Sequence, residues 1–474
     1  MKNKSIRYII LFCAAAISAL PAFEGPLYWQ PGLTGRFAEP LTGYALTGNP
    51  AAFIYEGNIQ AIRIGGDLRN MAYRRSYDPA ASRDLNAEYA TVRRIDDRSF
   101  FSTSITYNDY RQHDLFASME KYFYDDYFSM TDSTTGDITY YGPQLHIMYN
   151  AEIMNNVFLG LQGDYGVERS LKDTFPETIT IMRNSGYKAG IDWRKGGTSL
   201  GVFGRYYDNQ VHYEAVKEYS NVKANTYLGY NVFYNELSAS RLEKARNRKG
   251  IEYGGHFGFG KNAGFSGNIA LTGLQRQSLS ELIRGSHTHS RGLWMRKGRH
   301  LAGDLMISSR GAAAFRIYGE HLRYTDWGES LISGTLVLEN DEISNRIGGM
   351  FIYRPSLAQQ AYIGAETGKV HYDYIEYVFP FEDERSGREW NLYAGSRLYA
   401  GPKTQFRFDL SYGKEIPRFY WDTESFQNTD LRISLEQLFS FGYIQFMFEY
   451  CNKKPEAAEE SIDGYTLFLT YIRK

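Results

Sequence analysis

The chain has 474 residues and a formal net charge of −1, with 43% hydrophobic and 23% charged residues. This composition excludes wholesale disorder, and the near-neutral charge argues against a nucleic-acid partner, which would require a basic protein. Aromatic residues make up 16% of the chain, with 40 Tyr and 29 Phe against 13 Pro.

Residues 1–22 have the pattern of a secretory signal peptide. Lys2, Lys4 and Arg7 precede an apolar stretch at residues 8–20, and Ala19 and Ala22 are the expected cleavage positions. The apolar stretch is too short to span a bilayer. The pattern therefore predicts export.

Export without helical spans predicts a membrane β-barrel. No later stretch of 18 or more apolar residues occurs, which excludes a helical membrane protein. A barrel has a polar lumen, so its mean hydropathy stays low, here −0.45. Removal of Cys13 with the signal peptide leaves Cys451 as the only thiol, so no internal disulfide is expected.

Residues 23–57 are expected to form an N-terminal segment, periplasmic or lumenal, ahead of a barrel at residues 58–474. Pro and Gly exclude a long helix in this segment. A short helix is expected after Asn49, with Pro50 as its first residue. These two residues are the candidates for a plug that enters the lumen.

Period-two alternation marks the strands of the barrel. In residues 406–412, Phe406, Phe408 and Leu410 alternate with Arg407 and Asp409. Residues 301–308, 431–436 and 444–450 repeat the pattern, so each segment has one apolar and one polar face. The segments are about 11–15 residues long, whereas soluble strands average about 5–6.

The breaks between these segments give a strand count. Eight short breaks contain mostly turn-forming residues and lie near residues 96–97, 155–156, 195–197, 261–262, 309–311, 354–356, 401–402 and 438–440. With one strand before them, at about 58–77, and a closing strand at 463–473, the count is about 18, within a range of 14–18. The longest polar stretches, at about 111–139 and 217–249, are expected to be extracellular loops opposite short periplasmic turns.

Aromatic pairs at segment ends are expected to form the interfacial girdles of the barrel. The pairs are Tyr140 with Tyr141, Tyr206 with Tyr207, and Tyr372 with Tyr374.

Charged residues on the polar faces are expected to line the lumen, because a charge facing lipid would cost about 2–4 kcal/mol near the midplane. The candidates are Arg63, Asp67, Asp164, Asp192, Arg205, Asp304, Arg316, Glu320, Arg397, Arg407, Asp409, Arg432, Glu436 and Glu449. They form either a rigid, ion-paired filling or the lining of a pore or solute site.

An aromatic segment in the first long loop is a candidate binding surface. It contains Tyr122, Phe123, Tyr124, Tyr127 and Phe128. These side chains would either pack into the barrel mouth or bind a sugar or a surface lipoprotein.

Catalytic and metal-binding patterns are weak. His287 and His289, near His300, are spaced as metal ligands on a strand would be, but the segment has the character of an exposed loop without acidic companions. No nucleophile elbow or phosphate loop occurs, and His146, His212 and His321 have no partner at a catalytic spacing. We expect no enzyme, no cofactor and no metal.

The segment from Gly48 to Ala52, with its Asn-Pro-Ala run before the first strand, is similar to the FadL-like long-chain fatty-acid transporters and to PorV-type barrels of the Bacteroidetes. The whole pattern resembles Bacteroidetes outer-membrane barrels. The FadL-like resemblance implies a lumenal N-terminal segment that participates in gating, within 14 strands rather than 18. The resemblance to other outer-membrane barrels also implies that the barrel-assembly machinery recognises the aromatic-rich last strand.

The sequence therefore predicts a bacterial outer-membrane barrel, in contact with outer-membrane lipid, that passes or binds a solute or a surface substrate. The alternatives are a non-conducting barrel that docks assembly, secretion or surface-lipoprotein partners, and a barrel hydrolase.

Overall fold

The computed structural model describes residues 47–53, 58–75, 77–118, 121, 129–174, 177–216, 222–229, 233–238, 241–260, 264–284, 286–308, 312–356, 359–400, 403–416, 425–456 and 459–473. The predicted signal peptide and most of the N-terminal segment lie outside these residues. So do all five aromatic residues of the candidate binding loop.

Within this part of the chain the structure consists of strands and one short 3-10 helix, Pro50–Ala52. The strands are β1 (Ile59–Met71), β2 (Ala81–Arg94), β3 (Ser99–Ser118), β4 (Met130–Met154), β5 (Val157–Lys172), β6 (Glu177–Lys195), β7 (Thr198–Val216), β8 (Val222–Tyr227), β9 (Phe233–Ser238), β10 (Arg241–Phe259), β11 (Phe265–Arg284), β12 (His287–Ser308), β13 (Ala313–Ser330), β14 (Thr335–Ser356), β15 (Gln359–Glu376), β16 (Phe381–Tyr399), β17 (Thr404–Glu415), β18 (Phe426–Phe439), β19 (Gly442–Pro455) and β20 (Ile462–Arg473). No helix among the described residues has the length and apolar character of a membrane span.

Eighteen of these strands form one closed antiparallel barrel, which confirms the predicted fold and strand count. Each barrel strand pairs with its sequence neighbours, except that β7 pairs directly with β10. Between these two in sequence, β8 and β9 form a hairpin, and β8 also pairs with the start of β4. The last strand closes the ring on the first, with Leu68 opposite Tyr465 and Ile64 opposite Leu469. Closure satisfies the backbone groups of both edge strands, as a bilayer requires.

The outward face of the barrel is apolar. Phe408, Ile363 and Leu467 are 43%, 64% and 49% exposed, and their sequence neighbours on each strand point into the lumen. A closed barrel whose strands are this long and whose outward side chains are apolar has the surface of a protein embedded in a lipid bilayer. This protein is therefore an outer-membrane barrel.

The two ends of the barrel differ. Eight connections of two to five residues join the described strands at the end where β1 begins and β20 ends, here called the inner end. The predicted turn at 354–356 is displaced, since β14 continues to Ser356 and the turn follows it. In outer-membrane barrels the short turns face the periplasm.

At the outer end the predicted loops are shorter than expected. β3 reaches Ser118 and β4 begins at Met130, so much of the predicted loop at 111–139 is paired strand. β1, by contrast, is shorter than predicted and ends at Met71 rather than near residue 77. The strands continue beyond the apolar band, where both faces are polar, and alternation no longer identifies them.

Two further expectations about this end are wrong. His287 and His289 lie in β12, paired with β11, and not in a loop. Tyr372 and Tyr374 do not belong to an interfacial girdle, because both are fully buried in a cluster with Trp294 and Leu228. Tyr140 is buried as well, although its neighbour Tyr141 is exposed.

The connection between β7 and β10 folds across the outer mouth. The backbone N–H of Tyr227 donates to Ser129 (2.9 Å), and its hydroxyl lies 2.9 Å from that of Tyr77 in the β1–β2 connection. The next residue, Leu228, is buried against Trp294 and Tyr372 on a distant part of the wall. This crossing narrows the outer opening.

Closure gives a first testable prediction. The folded protein should be strand-rich by circular dichroism and require detergent for solubility, and in SDS gels an unboiled sample should migrate differently from a boiled one, because the closed ring leaves no edge for SDS to open. A water-soluble protein whose mobility does not change on heating would contradict the barrel assignment.

Candidate functional site in the barrel lumen

The predicted lumen-lining residues alternate with outward apolar residues on their strands. Each therefore points to the side away from the lipid-facing surface: Arg63, Asp67, Asp164, Asp192, Arg205, Asp304, Arg316, Glu320, Arg397, Arg407, Asp409, Arg432, Glu436 and Glu449. The structure distributes them over the whole ring, so they do not form a single site.

Residues 47–53, the described part of the N-terminal segment, lie at the inner end of this lumen. Asn49 is fully buried. Its side chain caps the 3-10 helix by accepting a hydrogen bond from the N–H of Ala51 (3.0 Å), and its own backbone N–H donates to Thr47 Oγ1 (3.1 Å). Its side-chain amide lies 3.3 Å from both Ile191 O and Val202 O, on β6 and β7. The Asn-Pro-Ala run is therefore bound to the barrel wall.

Three lumenal glycines make room for this segment. A Cβ at Gly160 of β5 would lie 2.1 Å from Ala51 N, and one at Gly190 of β6 would lie 1.9 Å from Asn49 Oδ1. A Cβ at Gly201 of β7 would lie 2.8 Å from Asn49 Nδ2. The three adjacent strands thus present backbone without side chains to the segment. Gly160, Gly190 and Gly201 are here called the glycine platform, and larger residues at these positions would exclude the docked segment.

Polar side chains on the same wall hold the carbonyl groups of the segment. Asn150 Nδ2 donates to Pro50 O (2.7 Å) and Ala51 O (3.0 Å), and Arg194 also donates to Ala51 O. Lys188 Nζ donates to Thr47 O at 2.7 Å. Charged donors form stronger hydrogen bonds than neutral ones, so the docked conformation is well held.

Arg194 is itself positioned by Asp192, one of the predicted lumenal carboxylates. Asp192 also lies 3.1 Å from His256 Nε2 on β10, and both side chains are only 1% exposed. The Asp192 carboxylate therefore links the docked segment to the strand beyond β7. His256, Asn150, Lys188 and the platform were not among the predicted residues, although glycines at lumen-facing positions of three consecutive strands are a signal that the sequence carries.

Farther along the same wall the lumenal charges remain partly exposed. Asp164 lies 2.6 Å from His146 Nδ1 and 4.0 Å from Arg205, which is also 3.7 Å from Glu252. About a quarter to a third of each of these side chains remains exposed. This group can meet a polar solute without first breaking a buried ion pair.

The wall formed by β12–β16 carries a second charged group. Glu320 lies 3.3 Å from both His300 and Arg346, and Arg346 also reaches Glu389 at 3.4 Å. Toward the inner end Arg316 pairs with Asp304 at 2.5 Å, and both are buried. The Arg316–Asp304 pair is therefore structural, whereas His300, Glu320 and Arg346 remain about a third exposed.

The remaining predicted residues also have close neighbours. Arg407 pairs with Asp409 (2.7 Å), and Arg432 pairs with Glu449 (2.9 Å). The Arg63 guanidinium lies over the Phe468 ring at 3.7 Å, which accounts for an aromatic residue on the polar face of β20. Asp67 accepts a hydrogen bond from Arg69, while Arg397 and Glu436 lie on the same lumenal face of their strands.

His287 and His289 do not belong to a metal site among the described residues. Within the described ranges, no three His, Cys, Asp or Glu side chains are grouped so that they could hold an ion.

Solved structures with a similar barrel include three bacterial proteins. OccAB3 of Acinetobacter baumannii is 10% identical, with 88% of this chain and 98% of that chain covered and a TM-score of 0.42. OccK9 (OpdG) of Pseudomonas aeruginosa is 9% identical, with coverages of 88% and 97% and a TM-score of 0.38. The siderophore receptor PiuA of A. baumannii is 7% identical, with coverages of 88% and 82% and a TM-score of 0.45.

No protein-family model matches the chain, and no curated protein sequence matches it. The three similar structures come from Proteobacteria, so they give no support to the predicted likeness to Bacteroidetes barrels. At these scores they carry no argument about function, and the barrel assignment rests on the strand pairing itself.

Proposed function

We propose that this barrel passes or binds a polar solute and that the docked segment around Asn49 restricts the inner end of its lumen. The observation that carries the proposal is the attachment of Asn49, Pro50 and Ala51 to the glycine platform. A segment held by hydrogen bonds rather than by strand pairing can leave the wall without opening the barrel.

The partly exposed lumenal charges support a polar solute. Asp164, Arg205, Glu252 and Glu320 are each about a quarter to a third exposed, and both charge signs are present. An apolar solute would gain nothing from these groups and would have to desolvate them. A zwitterionic or otherwise hydrophilic solute can exchange hydrogen bonds with them instead.

Conductance of purified protein in planar bilayers tests the proposal. We expect Gly160→Val and Gly190→Val to raise the conductance or the open fraction several-fold over the wild-type protein, because each Cβ would occupy the place of the docked segment. Gly163→Val on β5 and Gly204→Val on β7 are the matched controls. Neither added Cβ would lie within 4 Å of another group, so both should conduct like the wild type.

Two outcomes would contradict the proposal. If neither the wild-type protein nor a platform variant conducts ions or a small zwitterion, the barrel is not a channel, and the alternative of a docking barrel for other proteins is favoured. If all four glycine variants conduct alike, the docked segment does not restrict the lumen.

A further inference from the structure

Basic residues lie side by side on the outward face of β12–β16. Arg299 is directly opposite Arg323 across β12 and β13, and Lys369 is directly opposite Arg388 across β15 and β16. All four are exposed, and Asn345 on β14 lies opposite Lys369 between the two pairs. Directly opposite residues have Cβ atoms about 4.5–5.5 Å apart. The four residues are called the basic strip below.

The basic strip borders the lipid-facing band. Each of the four strands contributes one residue to the strip. Along each strand from the inner end, that residue is the first Lys, Arg, Asp or Glu whose side chain points outward. The outward residues before it include Leu301, Ile317, Ile363 and Leu392, all exposed. The strip therefore lies where the apolar band ends toward the outer side, at the level of the outer-leaflet headgroups.

Like charges placed directly opposite each other destabilise a sheet. Arg323 has one compensating partner, Asp341 on β14, at 2.9 Å. In the part of the chain that the structure describes, Arg299, Lys369 and Arg388 form no ion pair. An anion shared by two neighbouring cations would convert the repulsion in each pair into attraction.

We propose that the basic strip binds the phosphate groups of a phosphorylated glycolipid in the outer leaflet. The planar forks of Arg299 and Arg388 match phosphate oxygens in pairs, and Lys369 adds a point charge, whereas the fork of Arg323 is already bound by Asp341. The exposed Leu301 and Ile363 just beneath would contact the acyl chains of the same molecule. A free phosphate ion would gain only the first of these two interactions.

The test compares the wild-type protein with the double variant Arg299→Gln, Arg388→Gln, which removes one charge from each pair. Both are folded in neutral detergent, and the temperature at which the folded gel band disappears is measured with bisphosphorylated lipid A, with dephosphorylated lipid A and with inorganic phosphate. Without additive, the double variant should be at least as heat-resistant as the wild type, because repulsion is relieved. With bisphosphorylated lipid A the order should reverse, and the variant should need about tenfold more lipid for half of the effect.

Lys249→Gln is the matched control. Lys249 is also an exposed outward base, on β10, but it lies opposite Asp208 rather than another base. This variant should respond to lipid A as the wild type does. Equal responses of the double variant and the wild type would overturn the proposal, as would a full effect of dephosphorylated lipid A. A full effect of inorganic phosphate alone would also overturn it, since the strip would then bind the ion and not the lipid.

Discussion

Deletion of residues 463–474 is expected to abolish assembly of this barrel in the membrane. β20 pairs along its length with β19 on one side and with β1 on the other. Without it, both neighbours would present unpaired backbone groups to lipid, where no water can satisfy them. Ile472 would also leave the buried cluster that it forms with Ile59 and Ala61.

Cell fractionation and the heat-dependent gel shift measure this effect. The truncated chain should be absent from the outer-membrane fraction, and normal amounts of it there would show that β20 does not close the barrel. Disulfide crosslinking of the intact barrel gives independent evidence in a Cys451→Ser background. Ile64→Cys with Leu469→Cys should crosslink, because the two residues are directly opposite.

The control for crosslinking keeps Ile64→Cys and moves the second cysteine to Tyr465. Tyr465 lies opposite Leu68, four residues along β1 from Ile64. Four residues of strand correspond to about 13 Å, beyond the reach of a disulfide. Efficient crosslinking of this control pair would show a register different from the one described.

Phe408→Arg is expected to block assembly, whereas Arg407→Ala should be milder. Phe408 is 43% exposed on the lipid-facing side of β17, opposite Ile433 of β18. A cation there would cost about 2–4 kcal/mol near the midplane. Arg407 faces the lumen, and after its removal the Asp409 carboxylate still accepts a hydrogen bond from Tyr362.

The folded fraction in liposomes, followed by the gel shift over a urea series, separates these variants. Phe408→Leu is the matched control, since it keeps an apolar side chain at the same position and should assemble as the wild type does. Equal assembly of Phe408→Arg and Arg407→Ala would mean that β17 faces the opposite way.

Much of the fold was predictable because its signals are local. Alternation over Phe406, Arg407 and Phe408 reports a strand with two unlike faces, and short Gly, Pro and Asn breaks report the inner turns, so 18 strands and their facing followed. The same logic fails at the outer end. There β3 and β4 keep pairing beyond the apolar band, and polar residues on both faces look like a loop.

Burial in the lumen and burial against lipid leave the same sequence pattern. Tyr372 and Tyr374 end an alternating segment as girdle residues would, yet they pack against Leu228 from a distant connection. Only the path of the chain between β7 and β10 brings that residue to them. The sequence could therefore place the aromatics on a face but could not identify what covers them.

The candidate site shows the same limit. The sequence by itself determined that the charged residues on the polar faces of the alternating segments point away from lipid. It also determined that Asn49 and Pro50 precede the first strand as a short turn of helix. Only the tertiary structure decided that Asn49 meets β6 and β7, because Ile191 is 142 residues away and the register of three strands aligns Gly160, Gly190 and Gly201. In the same way, only strand pairing places Arg323 opposite Arg299 and Arg388 opposite Lys369, and no local sequence pattern encodes that pairing.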